Sequence, residues 1–136
     1  MDYEQLTDEQ ILERLLNADR VPQRTLFLKR LGIPLTLQAL TTKQIYAIRE
    51  RCTQVIKGKR GTPDREEVDT RLFTVRVALA SIVKPRFDDA RLLEKYQASG
   101  PEEVIQRILL AGELDQIFAE TLALSGFDED LEELKN

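Results

Sequence analysis

The side chains that most often carry out catalysis are scarce in this sequence. Its 136 residues contain no histidine and a single cysteine, Cys52. Ser-His-Asp and Cys-His catalysis both require an imidazole, and zinc sites usually draw on several Cys or His ligands. Carboxylates or tyrosines could transfer protons, but no isolated pair of them stands out. We therefore predict a protein that is not an enzyme and that has no catalytic residues, no bound metal and no organic cofactor.

Cys52 and a basic loop are the remaining candidates for chemistry. Cys52 follows Ile45 and Ile48 on an apolar helical stripe, which favours a buried structural thiol over a reactive one. Residues 57–63, Lys-Gly-Lys-Arg-Gly-Thr-Pro, could contact phosphate. They lack the GxxxxGK[ST] spacing of a P-loop and have no aromatic neighbours for base stacking. A solvated loop is the favoured interpretation.

Charge is distributed unevenly along the chain, although its net charge is only −4. Residues 1–87 contain 16 Lys/Arg and 11 Asp/Glu, whereas residues 88–136 contain 4 and 13. Such an asymmetry can bring the basic part of one copy to the acidic part of another, and two solvated faces are the open alternative. We expect a homo-oligomer with head-to-tail contacts. The pI near 5.0 weighs against a nucleic-acid partner.

The sequence also bears on where the protein works. No apolar run approaches the roughly 20 residues that a membrane-spanning helix needs. The N-terminus, Met1-Asp2-Tyr3-Glu4, is acidic and is not followed by the apolar region of a secretory signal. We therefore predict a cytoplasmic protein without membrane contact.

Residues 1–22 are predicted to form a short amphipathic helix and a linker. Thr7 and Gln10 have the spacing of a capping box, and Pro22 marks the break that follows the helix near Asn17. Four apolar residues at helical spacing follow the cap: Ile11, Leu12, Leu15 and Leu16. This stripe either caps the rest of the fold or binds a partner.

Residues 25–40 are predicted to form a β-hairpin. Two apolar stretches flank a turn at Gly32-Ile33-Pro34, and residues 35–40 alternate apolar with polar residues as a half-buried strand does. Because an isolated hairpin is marginal in water, it must lie against helices or a partner strand. Its outer edge is open to pairing with another chain.

Residues 42–127 are predicted to form a bundle of helices. A second capping box at Thr41 begins a helix that ends near Ile56, and Thr62-Pro63 begins a broadly apolar helix that runs to about Val83. Shorter helices follow, and Gly126 is placed to end the last of them. Residues 128–136 form an acidic tail.

The predicted fold class is α+β, mainly α, with a short N-terminal β-hairpin packed on a small bundle of about five to six helices. The chain, residues 1–136, is predicted to be a single domain. Apolar residues outside the long helices are not needed to build the core and are therefore available to bind a partner. The proposed partner-binding residues are Ile11, Leu12, Leu15, Leu16, Leu131 and Leu134.

The C-terminal half contains an ordered set of short motifs. They are residues 85–92, Pro-Arg-Phe-Asp-Asp-Ala-Arg-Leu, residues 109–114, Leu-Leu-Ala-Gly-Glu-Leu, and residues 124–127, Leu-Ser-Gly-Phe. Together with residues 37–41 and the helix from Tyr46 to Cys52, this set resembles the XkdN-like tail assembly chaperones of long-tailed phages and phage-like elements. The resemblance covers about residues 26–136, and the helix from Thr7 to Asn17 departs from the family's pattern.

The resemblance implies a protein that binds the tape-measure protein before the tail tube polymerises around it. Such a chaperone keeps apolar helices soluble in the cytoplasm of the bacterial host and is absent from the mature particle. A frameshifted, extended form would also recruit the tail tube protein. The open alternatives are a phage structural adaptor, such as a head–tail connector or a tail completion protein, and a small DNA-binding regulator.

Overall fold

A computed structural model describes residues 5–127 of the chain. The helices are α1 (Asp8–Leu16), α2 (Thr42–Arg51), α3 (Thr70–Ser81), α4 (Ala90–Lys95), α5 (Pro101–Ile108) and α6 (Ala111–Leu124). The strands are β1 (Gln23–Leu28), β2 (Ile33–Gln38), β3 (Thr53–Ile56), β4 (Arg65–Val68) and β5 (Ile82–Lys84). The mainly helical α+β class agrees with the prediction.

The predicted hairpin is present, but it belongs to a larger sheet. β1 and β2 are antiparallel, with Gln23 opposite Gln38 and Leu28 opposite Ile33. β2 also pairs with β5, which places it at the centre of a three-stranded antiparallel sheet. Residues of β5 had been expected at the end of a long helix, and that expectation was wrong.

A second hairpin separates α2 from α3 where the sequence predicted a loop between two helices. β3 and β4 pair in antiparallel register, with Val55 opposite Glu66. The Asp69 N–H donates to the Cys52 carbonyl at 2.8 Å and closes the hairpin at its base. Pairing between distant segments therefore outweighs the local helical preference of residues 65–68.

The bounds of α2 and α3 follow from this hairpin. α2 ends at Arg51 rather than near Ile56. α3 begins after Asp69, whose carboxylate accepts the Leu72 N–H at 3.2 Å, and not at Thr62-Pro63. The predicted buried thiol is confirmed, since Cys52 at the end of α2 is 1% exposed.

α3 is the central helix and contributes to two apolar clusters. Val75 and Ala78 pack in the larger cluster against the sheet, α5 and α6, and Val77 packs in the smaller cluster with α2. The buried residues of the larger cluster are Leu28, Leu35, Leu37, Val75, Ala78, Phe87, Val104, Ile105, Leu109 and Ile117. A helix that packs on both sides accounts for the broad apolar surface seen in its sequence.

Polar contacts fix the ends of these elements. Ser81 Oγ, which is buried, donates to the Gln38 carbonyl at 2.8 Å, and the Leu40 N–H donates to Ser125 Oγ at 2.9 Å. Gly126 has φ +98°, and the Phe127 N–H donates across it to the Leu122 carbonyl at 2.8 Å. The predicted role of Gly126 at the end of α6 is therefore confirmed as a Schellman motif.

Candidate partner-binding surface

The helix α1 is stabilised by its own ends. Thr7 Oγ1 accepts the Gln10 N–H at 3.2 Å, and Gln10 Oε1 accepts the Thr7 N–H at 2.9 Å, which confirms the predicted capping box. Asn17 Nδ2 donates to the Glu13 carbonyl at 2.9 Å at the other end. Asp8 and Glu9 lie in the first turn and Arg14 in the last, as the helix dipole favours.

The apolar face of α1 is uncovered. Ile11, Leu12, Leu15 and Leu16 are 43%, 52%, 68% and 73% exposed, and no residue of the helix is buried. The four residues occupy one side of the helix, whereas Gln10, Glu13 and Arg14 lie on the other. The structure therefore does not use this stripe to cap the fold.

An uncovered apolar face is costly for so short a helix. Helices below about 12–15 residues are marginal in water without tertiary packing, and α1 has 9 residues. A partner that buries these residues would both stabilise the helix and remove apolar surface from water. The remaining residues proposed for partner binding, Leu131 and Leu134, lie outside the described residues.

Large apolar side chains outside the proposed partner-binding residues are also exposed. They are Phe27, Tyr46, Val55, Leu110 and Phe127. Val55 lies within the segment that was predicted to be helical up to about Ile56, but it belongs to β3 and is 64% exposed. Its strand assignment could not be inferred from residues 45–55 alone, because their spacing fits a helix equally well.

The charge asymmetry of the chain is partly satisfied within the fold. Arg24 pairs with Glu120 at 2.7 Å, Arg30 with Glu113 at 2.7 Å and Arg76 with Glu102 at 2.9 Å. Each of these contacts joins a basic residue of the first 87 positions to an acidic residue of the last 49. The two halves of the chain thus complement each other inside one molecule.

The Arg30–Glu113 contact is the most extensive of these ion pairs. Arg30 donates to both carboxylate oxygens of Glu113, and its Nη2 also donates to the Ile108 carbonyl at 2.7 Å. The hydrogen bonds from Arg30 and from the Leu110 N–H lower the pKa of Glu113. This contact holds the turn after β1 against the start of α6.

The basic loop is the tip of the second hairpin. Gly58 N–H donates to Asp64 Oδ1 at 2.9 Å, and Thr62 N–H donates to the Lys59 carbonyl at 2.7 Å. A Cβ at Gly58 would overlap the Thr62 carbonyl, so only glycine fits there. Lys57, Lys59 and Arg60 are all exposed, as the prediction of a solvated loop requires.

Metal-ligand clusters and membrane-spanning helices were sought in the part of the chain that the structure describes. No group of three or more Cys, Asp or Glu side chains within residues 5–127 could hold a metal ion. None of the helices in that part of the chain is long and apolar enough to cross a membrane.

Comparisons with known proteins identify relatives over most of the chain. Residues 12–136 match the family of phage XkdN-like tail assembly chaperone proteins, and the match begins earlier than the residue 26 expected from the motifs. The protein XkdN of the phage-like element PBSX of Bacillus subtilis is 30% identical over 85% of this chain and 80% of its own length. The uncharacterized protein YqbN of the same organism is 32% identical over 76% of this chain and 69% of its own length.

A solved structure shares the fold. The crystal structure of YqbN superposes with a TM-score of 0.62, covering 91% of this chain and 100% of that one at 22% sequence identity. The chain belongs to the phage XkdN-like tail assembly chaperone family.

Proposed function

We propose that this member of the XkdN-like family binds apolar helical segments of a tape-measure protein and keeps them soluble until the tail tube forms around them. The observation that carries the proposal is the apolar face of α1, on which Ile11, Leu12, Leu15 and Leu16 are all exposed. An exposed apolar face does not stabilise an isolated monomer, whereas a chaperone needs such a face in order to bind apolar helices.

Recognition would follow the packing of one amphipathic helix on another. The client would present apolar side chains at i, i+3 or i+4 and i+7, and these would pack against the two turns of α1. Burying one Leu or Ile side chain contributes about 1.5–3 kcal/mol. Part of that gain offsets the ordering of both helices, so the contact would be reversible. Leu131 and Leu134 are proposed as a second apolar contact for the client.

The same proposal gives the place and time of action. The protein would act in the cytoplasm of the bacterial host, before tail assembly is complete, and would be absent from the mature particle. A longer form of the chain would recruit the tail tube protein. Mass spectrometry of purified particles separates this function from that of a structural adaptor, which would remain in them.

Co-expression tests the proposal directly. A tape-measure fragment that aggregates alone should stay soluble and co-purify with this chain. The double substitution Leu15→Ser and Leu16→Ser should abolish both effects, because it removes the two most exposed side chains of the apolar face. The fold should be unaffected, since neither side chain is buried.

The matched control lies on the opposite face of the same helix. The double substitution Glu13→Ser and Arg14→Ser introduces the same residue type at two neighbouring positions and should leave client binding unchanged. If fragments spanning the whole tape measure neither bind nor gain solubility with the unmodified chain, the proposed function is wrong. If both double variants bind equally well, another surface recognises the client.

A further inference from the structure

Strand β1 forms an edge of the three-stranded sheet. β2 pairs with it on one side, and on the other side it forms no backbone hydrogen bond with any of residues 5–127. Five of its six residues are exposed or half-buried, so the strand is accessible along most of its length. An accessible edge presents a row of unpaired N–H and C=O groups, which is the template that a sheet offers to a further strand.

The pairing of β1 with β2 fixes which backbone groups face outward. The Ala39 N–H donates to the Pro22 carbonyl at 2.9 Å, so residue 22 and every second residue after it are hydrogen-bonded to β2. Pro34, which has no N–H, lies opposite Phe27 and fits the same alternation. The N–H and C=O groups of residues 23, 25 and 27 therefore point away from β2, toward the open edge.

The opposite edge of the sheet is less suited to pairing with another strand. β5 has three residues, ends at Lys84 and is followed by Pro85. Short strands, lysine and proline are features by which natural sheets protect their edges from other chains. β1 is twice as long, and its one charged side chain, Arg24, is paired with Glu120 at 2.7 Å. Of the two edges, β1 is the one that can accept a strand.

The side chains beside this edge on the solvent side of the sheet are uncharged. Side chains alternate between the two faces of a strand, and Leu28, Leu35 and Leu37 are buried on the core side. The residues on the solvent side are Gln23, Thr25, Phe27, Pro34, Thr36 and Gln38. Phe27 is 55% exposed. A strand brought to this edge would therefore bury apolar surface without like-charge repulsion.

The occupant of the edge must itself be extended. A helix bonds its own N–H and C=O groups internally, so the helical client proposed for α1 cannot pair here. A second β1 can. In antiparallel pairing about a two-fold axis at Thr25, residue 25 lies opposite residue 25 and Gln23 opposite Phe27, so each of the three outward-facing pairs exchanges two hydrogen bonds. Thr–Thr is a favourable cross-strand pair. On the core side Arg24 lies opposite Leu26, so no two like charges face each other.

We propose that the β1 strands of two copies of this chain pair in antiparallel fashion and join the two three-stranded sheets into one. The contact is isologous, because the same strand serves both copies, so it closes as a dimer and does not polymerise. It differs from the head-to-tail contact expected from the distribution of charge along the chain. It does not depend on the proposed function, because it concerns neither α1 nor a client.

Charges placed at the two-fold axis test the contact by analytical ultracentrifugation of the full chain. Thr25→Lys sets two lysines directly opposite each other and Thr25→Glu sets two carboxylates there, so each variant alone should dimerise at least about tenfold more weakly than the unmodified chain. An equimolar mixture of the two should restore the dimer, because opposite charges then face each other. Since an unfolded variant could not pair, the rescue also shows that both variants fold.

The matched control lies on the other hairpin. Gln54→Lys and Gln54→Glu introduce the same charges at an exposed residue of β3 and should leave association unchanged, both alone and mixed. Raising the salt to about 0.5 M should leave the dimer of the unmodified chain intact, because no ion pair crosses the contact between the two β1 strands.

The proposal is overturned if the unmodified chain stays monomeric at high micromolar concentration. It is also overturned if both Thr25 variants dimerise as well as the unmodified chain, since another surface then joins the copies. A mixture that fails to restore the dimer excludes the register centred on Thr25. Association of the unmodified chain that is lost at high salt would identify the head-to-tail contact instead.

Discussion

Helices α1 and α5 carry the same apolar pattern and have opposite surroundings. In α1 the apolar residues are 11, 12, 15 and 16, and around α5 they are 104, 105, 108 and 109. Val104 and Ile105 are 0% exposed, and Leu109 is 8% exposed. The matching residues of α1, Ile11, Leu12 and Leu16, are 43%, 52% and 73% exposed. The period of the pattern therefore identifies an amphipathic helix, but it does not say what covers the apolar face.

The difference follows from where the preceding and following segments place each helix relative to the core. α5 begins at Pro101 directly after the turn that follows α4, and its apolar face packs on Val75 and Ala78 of α3. α1 is separated from β1 by residues 17–22, and its apolar residues join neither buried cluster. Within residues 5–127, this uncovered apolar face is the strongest indication of a binding surface.

The largest effect should come from truncating one apolar side chain in each of the two helices. Ile105→Ala should lower the free energy of unfolding by about 2–5 kcal/mol, because it leaves a cavity in the core. Leu15→Ala should change it by less than about 0.5 kcal/mol, as is usual for exposed positions. Urea denaturation of both variants measures the two values. Similar losses in both would mean that α1 packs on the fold.

The two capping boxes offer a smaller contrast. Thr41 caps α2, which contributes Ile45 to the smaller cluster, so Thr41→Ala should lower the global free energy of unfolding by about 1 kcal/mol. Thr7→Ala should leave global unfolding unchanged, because α1 can unwind without opening the core. Hydrogen exchange should instead show faster exchange confined to residues 8–17. If Thr7→Ala lowers the global free energy of unfolding, α1 does not unwind independently of the core.

The smallest expected effect is on the stability of the folded protein at acidic pH. Ser99 Oγ donates to Glu103 Oε1 at 2.7 Å in the first turn of α5, and this hydrogen bond lowers the pKa of Glu103 from its ordinary 4.5. A lowered pKa in the folded state stabilises the protein above about pH 4.5, and the gain is lost as the pH falls through the folded value. Glu103→Gln should therefore weaken the dependence of the urea midpoint on pH as the pH falls below about 4.5. If the urea midpoint of the variant depends on pH as that of the unmodified chain does, the hydrogen bond between Ser99 and Glu103 does not contribute to the acid sensitivity.

Features determined within a few residues were predictable. Residues only a few positions apart define the capping boxes at Thr7 and Thr41 and the end of α6 at Gly126. The structure contains all three features. The first hairpin was also recognisable, because its two strands are joined by a short turn at Gly32. In each case the sequence positions that interact lie close together, so local preference and native contact agree.

Features that depend on distant pairing were not predictable. Residues 65–68, Arg-Glu-Glu-Val, favour a helix by composition, yet they form β4 because β3 and the Asp69–Cys52 hydrogen bond hold them extended. Ile82 continues the apolar pattern of α3 but leaves the helix to lie opposite Leu37. The candidate surface on α1 was identified from its residues, whereas its exposure required the structure.

Leu37 pairs with Ile82, so residues 38–81 form a loop whose two ends are held together in the sheet. The entropy lost on closing such a loop grows only with the logarithm of its length, so even a doubling costs about 0.6 kcal/mol. The hairpin tip at residues 57–63 lies inside this loop and far from its closing strands. Insertions or deletions at the tip should therefore cost the sheet little. Evolution could lengthen or recharge the tip to suit a new partner while the core keeps its sequence.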